Sequence, residues 1–225
     1  MKLAVKTENL RFSYADGREI LAGVDMEIAV GEAVVLNGLS GSGKTTLCRC
    51  LCGIIPNCVK GNLSGRVTVD GCDVSAMPLY DCARHIALVF QNPDDQLICR
   101  CVEDELAFAL ENLCVPPDDI RRRVDAMLSD FGIASLALRD PANLSGGQKK
   151  LVTICSVLIM EPQIIILDEP MTGLDGENRA LVLRAIDTLR AQGRTVIAVE
   201  HDLSLAPYAD RILYLREGRL YDRAE

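Results

Sequence analysis

The chain has 225 residues, of which 49% are hydrophobic, and its 24 Lys and Arg against 32 Asp and Glu give a formal net charge of −8. The apolar content excludes a disordered chain, and the acidic balance argues against a nucleic-acid partner. No apolar run approaches the roughly 18 residues of a membrane-spanning helix, and no apolar signal-peptide core follows Met1. We therefore expect a folded protein without a membrane span.

Short apolar runs alternate with helical segments along the chain. The predicted strands cover residues 24–28, 33–37, 66–70, 86–90, 164–168, 195–200 and 211–215. Several of these runs are continuously apolar, which is typical of strands buried on both faces. The pattern predicts an α/β fold with a mostly parallel sheet, and turn signals at Asp16-Gly17 and Asp70-Gly71 predict antiparallel pairing in the first third.

The middle of the chain carries helical patterns and few strands. An acidic first turn opens a helix at Val102, and Pro116-Pro117 begins a second helix that runs to about Phe131. We found no long linker and no internal repeat. The sequence therefore predicts a single domain over residues 1–225, with a helical subdomain inserted at about 91–160.

Ten cysteines raise the question of metal binding. Cys48 and Cys52 have the i, i+4 spacing of one helix face, but no histidine or second close pair completes a tetrahedral zinc set. Burial as small apolar residues is the favoured interpretation. The same holds for Cys99 and Cys101, and metal binding by a cysteine remains an open alternative.

A glycine-rich segment matches the phosphate-loop pattern G-x-x-x-x-G-K-[ST] in full. The segment reads Gly38-Leu39-Ser40-Gly41-Ser42-Gly43-Lys44-Thr45. A flexible Gly/Ser loop is the alternative, but the match follows a predicted strand and opens a predicted helix, as the motif requires. Glycines let backbone N–H groups converge on phosphate oxygens, and the helix N-terminus adds a favourable dipole. These features predict a nucleotide-binding site.

Polar side chains at the end of the phosphate loop and at the end of a later predicted strand suggest hydrolysis of the bound nucleotide. Lys44 is expected to reach the β- and γ-phosphates and the Thr45 hydroxyl to bind Mg²⁺. An apolar strand ends at Asp168-Glu169. Because strand side chains alternate faces, Asp168 suits the Mg²⁺ shell and Glu169 suits a general base for the attacking water.

Between these motifs stands a third, Leu144-Ser145-Gly146-Gly147-Gln148, which opens a predicted helix from Lys149 to Met160. Together with the others it resembles the ATP-binding subunit of ATP-binding cassette (ABC) transporters over essentially the whole chain. The resemblance implies a P-loop NTPase core with an antiparallel β subdomain and a helical subdomain. The ATP-binding residues it implies are Tyr14, Asn37, Gly38, Leu39, Ser40, Gly41, Ser42, Gly43, Lys44, Thr45 and Thr46.

The same resemblance assigns further roles. It implies Glu169, His201 and Gln91 as catalytic residues, Thr45, Gln91 and Asp168 as Mg²⁺ ligands, and Asp175 as the D-loop aspartate. It implies that Leu144, Ser145, Gly146, Gly147 and Gln148 contact ATP held by a second ATPase subunit. A separate integral membrane subunit and a place on the cytoplasmic face of the membrane follow from it.

A longer match, Phe90-Gln91-Asn92-Pro93-Asp94-Asp95-Gln96, is similar to the ATPases of energy-coupling-factor importers of vitamins, cobalt or nickel. Those ATPases usually carry a C-terminal extension, whereas this sequence ends soon after Tyr221. Leu151 also stands where an arginine commonly follows the signature. We expect an ATPase that powers uptake of a small solute through a separate membrane protein.

Two alternatives belong to other functional classes. Non-transport ABC proteins that act in translation or DNA maintenance usually have two cassettes or a coiled-coil insertion, and neither pattern is present here. A P-loop kinase needs an acceptor site and a lid in place of the segment from Leu144 to Gln148. Both are less consistent with the sequence than a transport ATPase.

Overall fold

The computed structural model describes residues 2–222, so the ends of the predicted domain, Met1 and residues 223–225, lie outside the described residues. The chain forms two compact units. The first comprises the residues up to Leu88, Pro162–Glu169 and the residues from Ile186 onward, and the second comprises Val89–Glu161 and Pro170–Ala185. The predicted helical insertion at 91–160 falls inside the second unit, which also takes in residues 170–185.

The first unit contains two sheets, except that Val89, the last residue of the strand Ile86–Val89, belongs to the second unit. The strands are β1 (Leu3–Tyr14), β2 (Glu19–Ala29), β3 (Ala33–Asn37), β4 (Gly61–Val69), β5 (Cys72–Asp73), β6 (Ile86–Val89), β7 (Ile164–Asp168), β8 (Thr195–Glu200), β9 (Arg211–Arg216) and β10 (Arg219–Tyr221). One sheet has the order β2-β1-β4-β5 with antiparallel pairs. The other has the order β10-β9-β3-β8-β7-β6, in which β3 runs parallel to β8 and β9 and β7 runs parallel to β8. The predicted α/β class and the antiparallel first third are confirmed.

The apolar strands of the larger sheet determine where polar residues emerge. Every residue of β7 and β8 is buried, as their continuous apolar sequences predict. Asn37 lies opposite Glu200, and Asp168 lies opposite Val199. Because these strands are parallel, the residues that follow them emerge at the same edge of the sheet.

The first strand and several boundaries differ from the sequence prediction. β1 was not predicted, because the polar residues along it and the register shifts around Asn9, where φ is +47°, interrupt the alternation of apolar and polar positions. β2 and β4 are longer than predicted, since both pair along most of β1. β6 ends at Val89, one residue earlier than predicted.

The helices are α1 (Lys44–Leu51), α2 (Ile54–Asn57), α3 (Leu79–His85), α4 (Val102–Asn112), α5 (Pro117–Asp130), α6 (Gly146–Leu158) and α7 (Gly176–Ala191). In the second unit α4 packs against α5 and α6 and buries Val102, Leu106 and Leu110 at helical spacing. Within residues 2–222, no helix combines the length and the apolar character needed to cross a bilayer.

The predicted start of α6 at Lys149 is wrong, because the helix begins at Gly146. Ser145 Oγ accepts a hydrogen bond from the Gln148 amide at 3.3 Å, and Gln148 Oε1 accepts one from the Ser145 amide at 3.1 Å. This capping box satisfies backbone donors that the first turn leaves without helical partners. The two glycines therefore belong to the helix, although glycine has low helix propensity.

The cysteines around α1 are buried thiols. Cys48, Cys50 and Cys52 all lie in the core, and burial raises the pKa of Cys50 to about 12 and that of Cys48 well above its ordinary value. A different set of side chains has the geometry of metal ligands, which the cysteine spacing did not indicate. Ligand atoms of Cys101, Glu103 and Asp104 lie within 4.8 Å of one another. Burial raises the pKa of the Cys101 thiol, which favours its protonated form.

These environments predict an ordered thiol reactivity. With an aromatic disulfide reagent at neutral pH, the exposed Cys58, Cys72 and Cys114 should react within minutes, because only accessible thiols ionise and attack readily. The five buried thiols, which are Cys48, Cys50, Cys52, Cys82 and Cys155, should react only after denaturant is added. Absorbance of the released thiolate measures both phases, and prompt reaction of the buried set would contradict the fold.

Candidate functional site

The loop between β3 and α1 has the backbone of a phosphate cradle. Gly41 and Gly43 have φ of +79° and +105°, values that residues with a Cβ rarely adopt. A Cβ on Gly38 would lie 2.5 Å from the carbonyl oxygen of Leu215 on β9. The sequence pattern therefore places glycine where the loop needs either a left-handed turn or close contact with the sheet.

Lys44 folds back over this loop. Its side chain is buried, and its Nζ donates to the carbonyl oxygens of Gly38 at 2.6 Å and Leu39 at 3.0 Å. The amine is therefore held at the loop that it follows in sequence, among backbone groups that can also face an anion. Leu39, at the outer side of the loop, is 82% exposed.

A hydrogen bond joins the loop to the second predicted motif. Thr45 Oγ1 donates to Asp168 Oδ2 at 2.8 Å, so the start of α1 is bonded to the end of β7. A hydroxyl and a carboxylate are hard oxygen donors of the kind that Mg²⁺ binds. The two side chains predicted as Mg²⁺ ligands in this unit therefore fit that ion in chemistry and in proximity.

Glu169 and His201 emerge at the same sheet edge. The Glu169 amide donates to the carbonyl oxygen of Val199 at 3.0 Å, and Glu169 has a left-handed φ of +48°. His201 is about half exposed, and its Nδ1 lies 3.8 Å from Oε2 of the buried Glu200. Asn37 donates from Nδ2 to the carbonyl oxygen of Asp202 at 3.0 Å, which connects β3 to the segment after β8.

Tyr14 lies at the end of β1, beside the start of α1. Its hydroxyl is 3.3 Å from Thr46 Oγ1, and its ring meets the Phe12 ring edge-on at 5.0 Å between centroids. The guanidinium carbon of Arg18 lies 5.9 Å from the Tyr14 ring centroid. The ring is half-buried next to the phosphate loop, which is compatible with adenine stacking, and that role remains a prediction.

The signature and the D-loop residue meet in the second unit. Asp175 caps α7, because its Oδ1 accepts from the Asn178 amide at 2.9 Å and its Oδ2 from Asn178 Nδ2 at 3.2 Å. A Cβ on Gly147 would lie 3.1 Å from that same Nδ2. Ser145, Gln148, Asp175 and Asn178 line one groove.

Gln91 also belongs to the second unit, where its side chain is exposed and its carbonyl oxygen accepts from Lys150 Nζ at 2.8 Å. Sequence reasoning missed Lys150, Asn178 and Glu200. The apolar run Val196-Ile197-Ala198-Val199, which leads directly into Glu200, could have indicated a buried carboxylate. Lys150 follows another lysine in a helix that looks amphipathic, so only packing identifies it as buried.

Comparison with known proteins identifies the family of this chain. A model of the ABC transporter family matches residues 21–172. The chain belongs to the ABC transporter family. Within it, the cobalt import ATP-binding protein CbiO of Syntrophus aciditrophicus is 40% identical over 98% of this chain and 79% of that protein. The energy-coupling factor transporter ATP-binding protein EcfA of Methanosarcina acetivorans is 36% identical over 96% of this chain and 77% of that protein.

A solved structure supports the ABC fold. It is cbiO1 from Clostridium perfringens, described as part of the ABC transporter complex cbiONQ, and it covers 98% of this chain and 88% of its own length. Its TM-score is 0.83 at 35% identity. ABC ATP-binding subunits are ATPases, and the predicted P-loop NTPase fold and ATPase activity are confirmed for this chain as a member of the family.

The contact at Gly38 gives a testable prediction. Gly38→Ala should lower the melting temperature and weaken ATP binding at least tenfold, because the new Cβ forces β9 and the loop apart. Overpacking of this kind costs about 1–3 kcal/mol. Gly176→Ala is the matched control, since nothing lies within 4 Å of its Cβ position. Thermal melts and titration calorimetry with ATP check both variants, and equal behaviour of the two would refute the close contact.

Proposed function

We propose that this chain is the ATPase subunit of an energy-coupling-factor importer that takes up a micronutrient, either a vitamin or a metal ion. The named cobalt importer and energy-coupling-factor relatives support this proposal. One observation carries the ATPase part of the proposal. Thr45, at the end of a complete phosphate loop and next to the buried Lys44, donates a hydrogen bond to Asp168, the last residue of β7.

The proposed chemistry is hydrolysis of the γ-phosphate by water. Bound Mg²⁺ would neutralise charge on the phosphate oxygens, and Thr45 and Asp168 would hold it together with Gln91. Lys44 would leave its loop carbonyls for the β- and γ-phosphates. The backbone N–H groups of residues 38–46 would surround the phosphate chain, and Asn37 and Tyr14 would border the site.

Glu169 is the proposed general base. It follows β7 directly, and its left-handed backbone turns the chain immediately after Asp168, so that the two neighbouring carboxylates need not face the same way. Glu169 would accept a proton from the attacking water while His201 donates a hydrogen bond to the γ-phosphate. The buried Glu200, next to the His201 ring, would orient that imidazole.

Two subunits are proposed to complete each site. The segment from Leu144 to Gln148 would contact the γ-phosphate of ATP held by the phosphate loop of a partner ATPase. The capping box supports this role, because it fixes the first turn of α6 and leaves Ser145 and Gly146 exposed at a helix N-terminus, where anions bind favourably. Asp175 would lie at the same interface, since it lines the same groove as Ser145.

Transport requires a further protein. We propose that the ATPase pair binds a separate integral membrane subunit at the cytoplasmic face, which forms the path of the solute. ATP binding would favour the closed pair, and hydrolysis would release it, because only the triphosphate bridges the two subunits. The membrane subunits would select the solute.

Glu169→Gln separates binding from hydrolysis. The amide cannot accept the proton of water, so turnover should fall at least 100-fold, while the affinity for Mg·ATP changes less than threefold. Phosphate release and titration calorimetry measure these quantities. Glu217→Gln, a change of the same type at an exposed turn on the first unit, should retain normal turnover. A Glu169→Gln variant that hydrolyses ATP at the normal rate would remove Glu169 from the reaction.

Ser145→Arg tests the shared site. A guanidinium at the signature turn should prevent ATP-dependent dimers, because the partner's γ-phosphate loses its contact surface, while each subunit still binds ATP. The comparison is made in the Glu169→Gln background by light scattering with Mg·ATP. Ser129→Arg, on the exposed side of α5, is the control and should leave dimers intact. Dimers that persist with Ser145→Arg count against the proposed contact.

A further inference from the structure

A buried lysine on α6 has no role in the chemistry described so far. Lys150 is 2% exposed, which is rare for lysine because its amine must find polar partners inside the protein. Its Nζ donates to the carbonyl oxygen of Gln91 at 2.8 Å and to that of Phe90 at 3.2 Å. These two carbonyls belong to the segment that begins at the end of β6 and carries the Gln91 side chain.

The neighbouring lysine makes a second connection to the same segment. Lys149 Nζ lies 2.6 Å from Asp94 Oδ1, and the Asp94 side chain is 65% exposed. A solvated pair of this kind contributes little, whereas a buried donor shared by two carbonyls is costly to remove. Lys150 is therefore the stronger of the two links between α6 and residues 90–94.

The first turn of the same helix is the signature. The capping box of Ser145 and Gln148 fixes that turn, and Lys150 lies on the following turn. Hydrogen bonds within residues 90–96 hold the segment that Lys150 contacts. The Phe90 amide donates to Gln96 Oε1 at 2.9 Å, and the Gln96 amide donates to the Pro93 carbonyl at 3.0 Å. A compact loop thus rests on the signature helix through the Lys150 amine.

We propose that Lys150 is a positioning residue for Gln91, holding the backbone from which the Gln91 side chain leaves so that Gln91 and the signature turn move together. This inference rests on the proposed function, in which Gln91 acts at ATP of its own subunit and the signature contacts ATP of the partner. Lys150 then makes the geometry of one ATP site depend on the occupancy of the other. Removing its hydrogen bonds should lower both turnover and cooperativity between the two sites.

The first test combines three substitutions in the full chain. Lys150→Met keeps the length and apolar stem of the side chain but loses the donor, Lys150→Arg restores a donor, and Lys149→Met is the matched control on the same turn. We expect Lys150→Met to lower kcat at least tenfold and to bring the Hill coefficient for ATP close to one, with a less than threefold change in ATP Kd. Lys150→Arg should recover most of kcat, and Lys149→Met should stay within twofold of the wild type.

A double-mutant cycle separates positioning from a general structural role. If Lys150 acts through Gln91, Lys150→Met should have less than a twofold effect on kcat in a Gln91→Ala background. The same tenfold loss in both backgrounds would overturn the inference. If Lys150→Met does not melt cooperatively, Lys150→Gln, which retains a shorter donor, takes its place in the cycle.

Amide hydrogen exchange on the nucleotide-free protein tests the mechanical part without reference to ATPase activity. Lys150→Met should speed exchange of the Phe90 and Gln96 amides at least tenfold and leave α4 unchanged, and Lys149→Met should do neither. Unchanged exchange at Phe90 and Gln96 would overturn the inference even in a fully active ATPase. A wild-type chain that does not hydrolyse ATP would refute the proposed function, and the exchange result would still decide whether Lys150 holds this loop.

Discussion

The hydrogen bond from Thr45 to Asp168 connects residues 123 positions apart, and the arrangement of the nucleotide site depends on it. One partner begins α1 and the other ends β7. The bond therefore requires that β3 and β7 run in the same direction and end at the same edge of the sheet, each paired with β8. If β3 and β7 ran in opposite directions, the loop and the carboxylates would lie at opposite edges of the sheet.

Burial reinforces this arrangement. Lys44 and Asp168 are both buried, and such groups are stable inside a protein only with polar partners. The loop carbonyls and the Thr45 hydroxyl supply these partners, so both side chains are held in place at the end of the sheet.

The sequence was sufficient for the parts of the molecule that follow local rules. The phosphate loop, the β7 carboxylates and the signature each have a fixed order of residue types, so their positions were predicted residue by residue. β1 was missed because its pairing on both sides, and not its own alternation, makes it a strand. The start of α6 was placed three residues late because glycines suggested a loop, whereas the Ser145 cap starts the helix there.

Long-range contacts set the limit of prediction in the candidate site. Nothing in the local sequence of Lys150 distinguishes it from Lys149, yet one amine is buried against carbonyls and the other pairs with an exposed carboxylate. Asn178 likewise gains significance only because Gly147 lies against it. Which unit carries Gln91 is a property of the packed chain, and no motif spacing reveals it.

The left-handed backbone at Glu169 has an evolutionary consequence. A residue with a Cβ at φ of +48° costs free energy that glycine or asparagine would save, and glutamate is not among the residues enriched there. Glycine or asparagine at this position would relieve that local cost, so the glutamate is held there against the preference of its own backbone. If Glu169 is the general base proposed above, this chain accepts lower local stability in exchange for a carboxylate directly after β7.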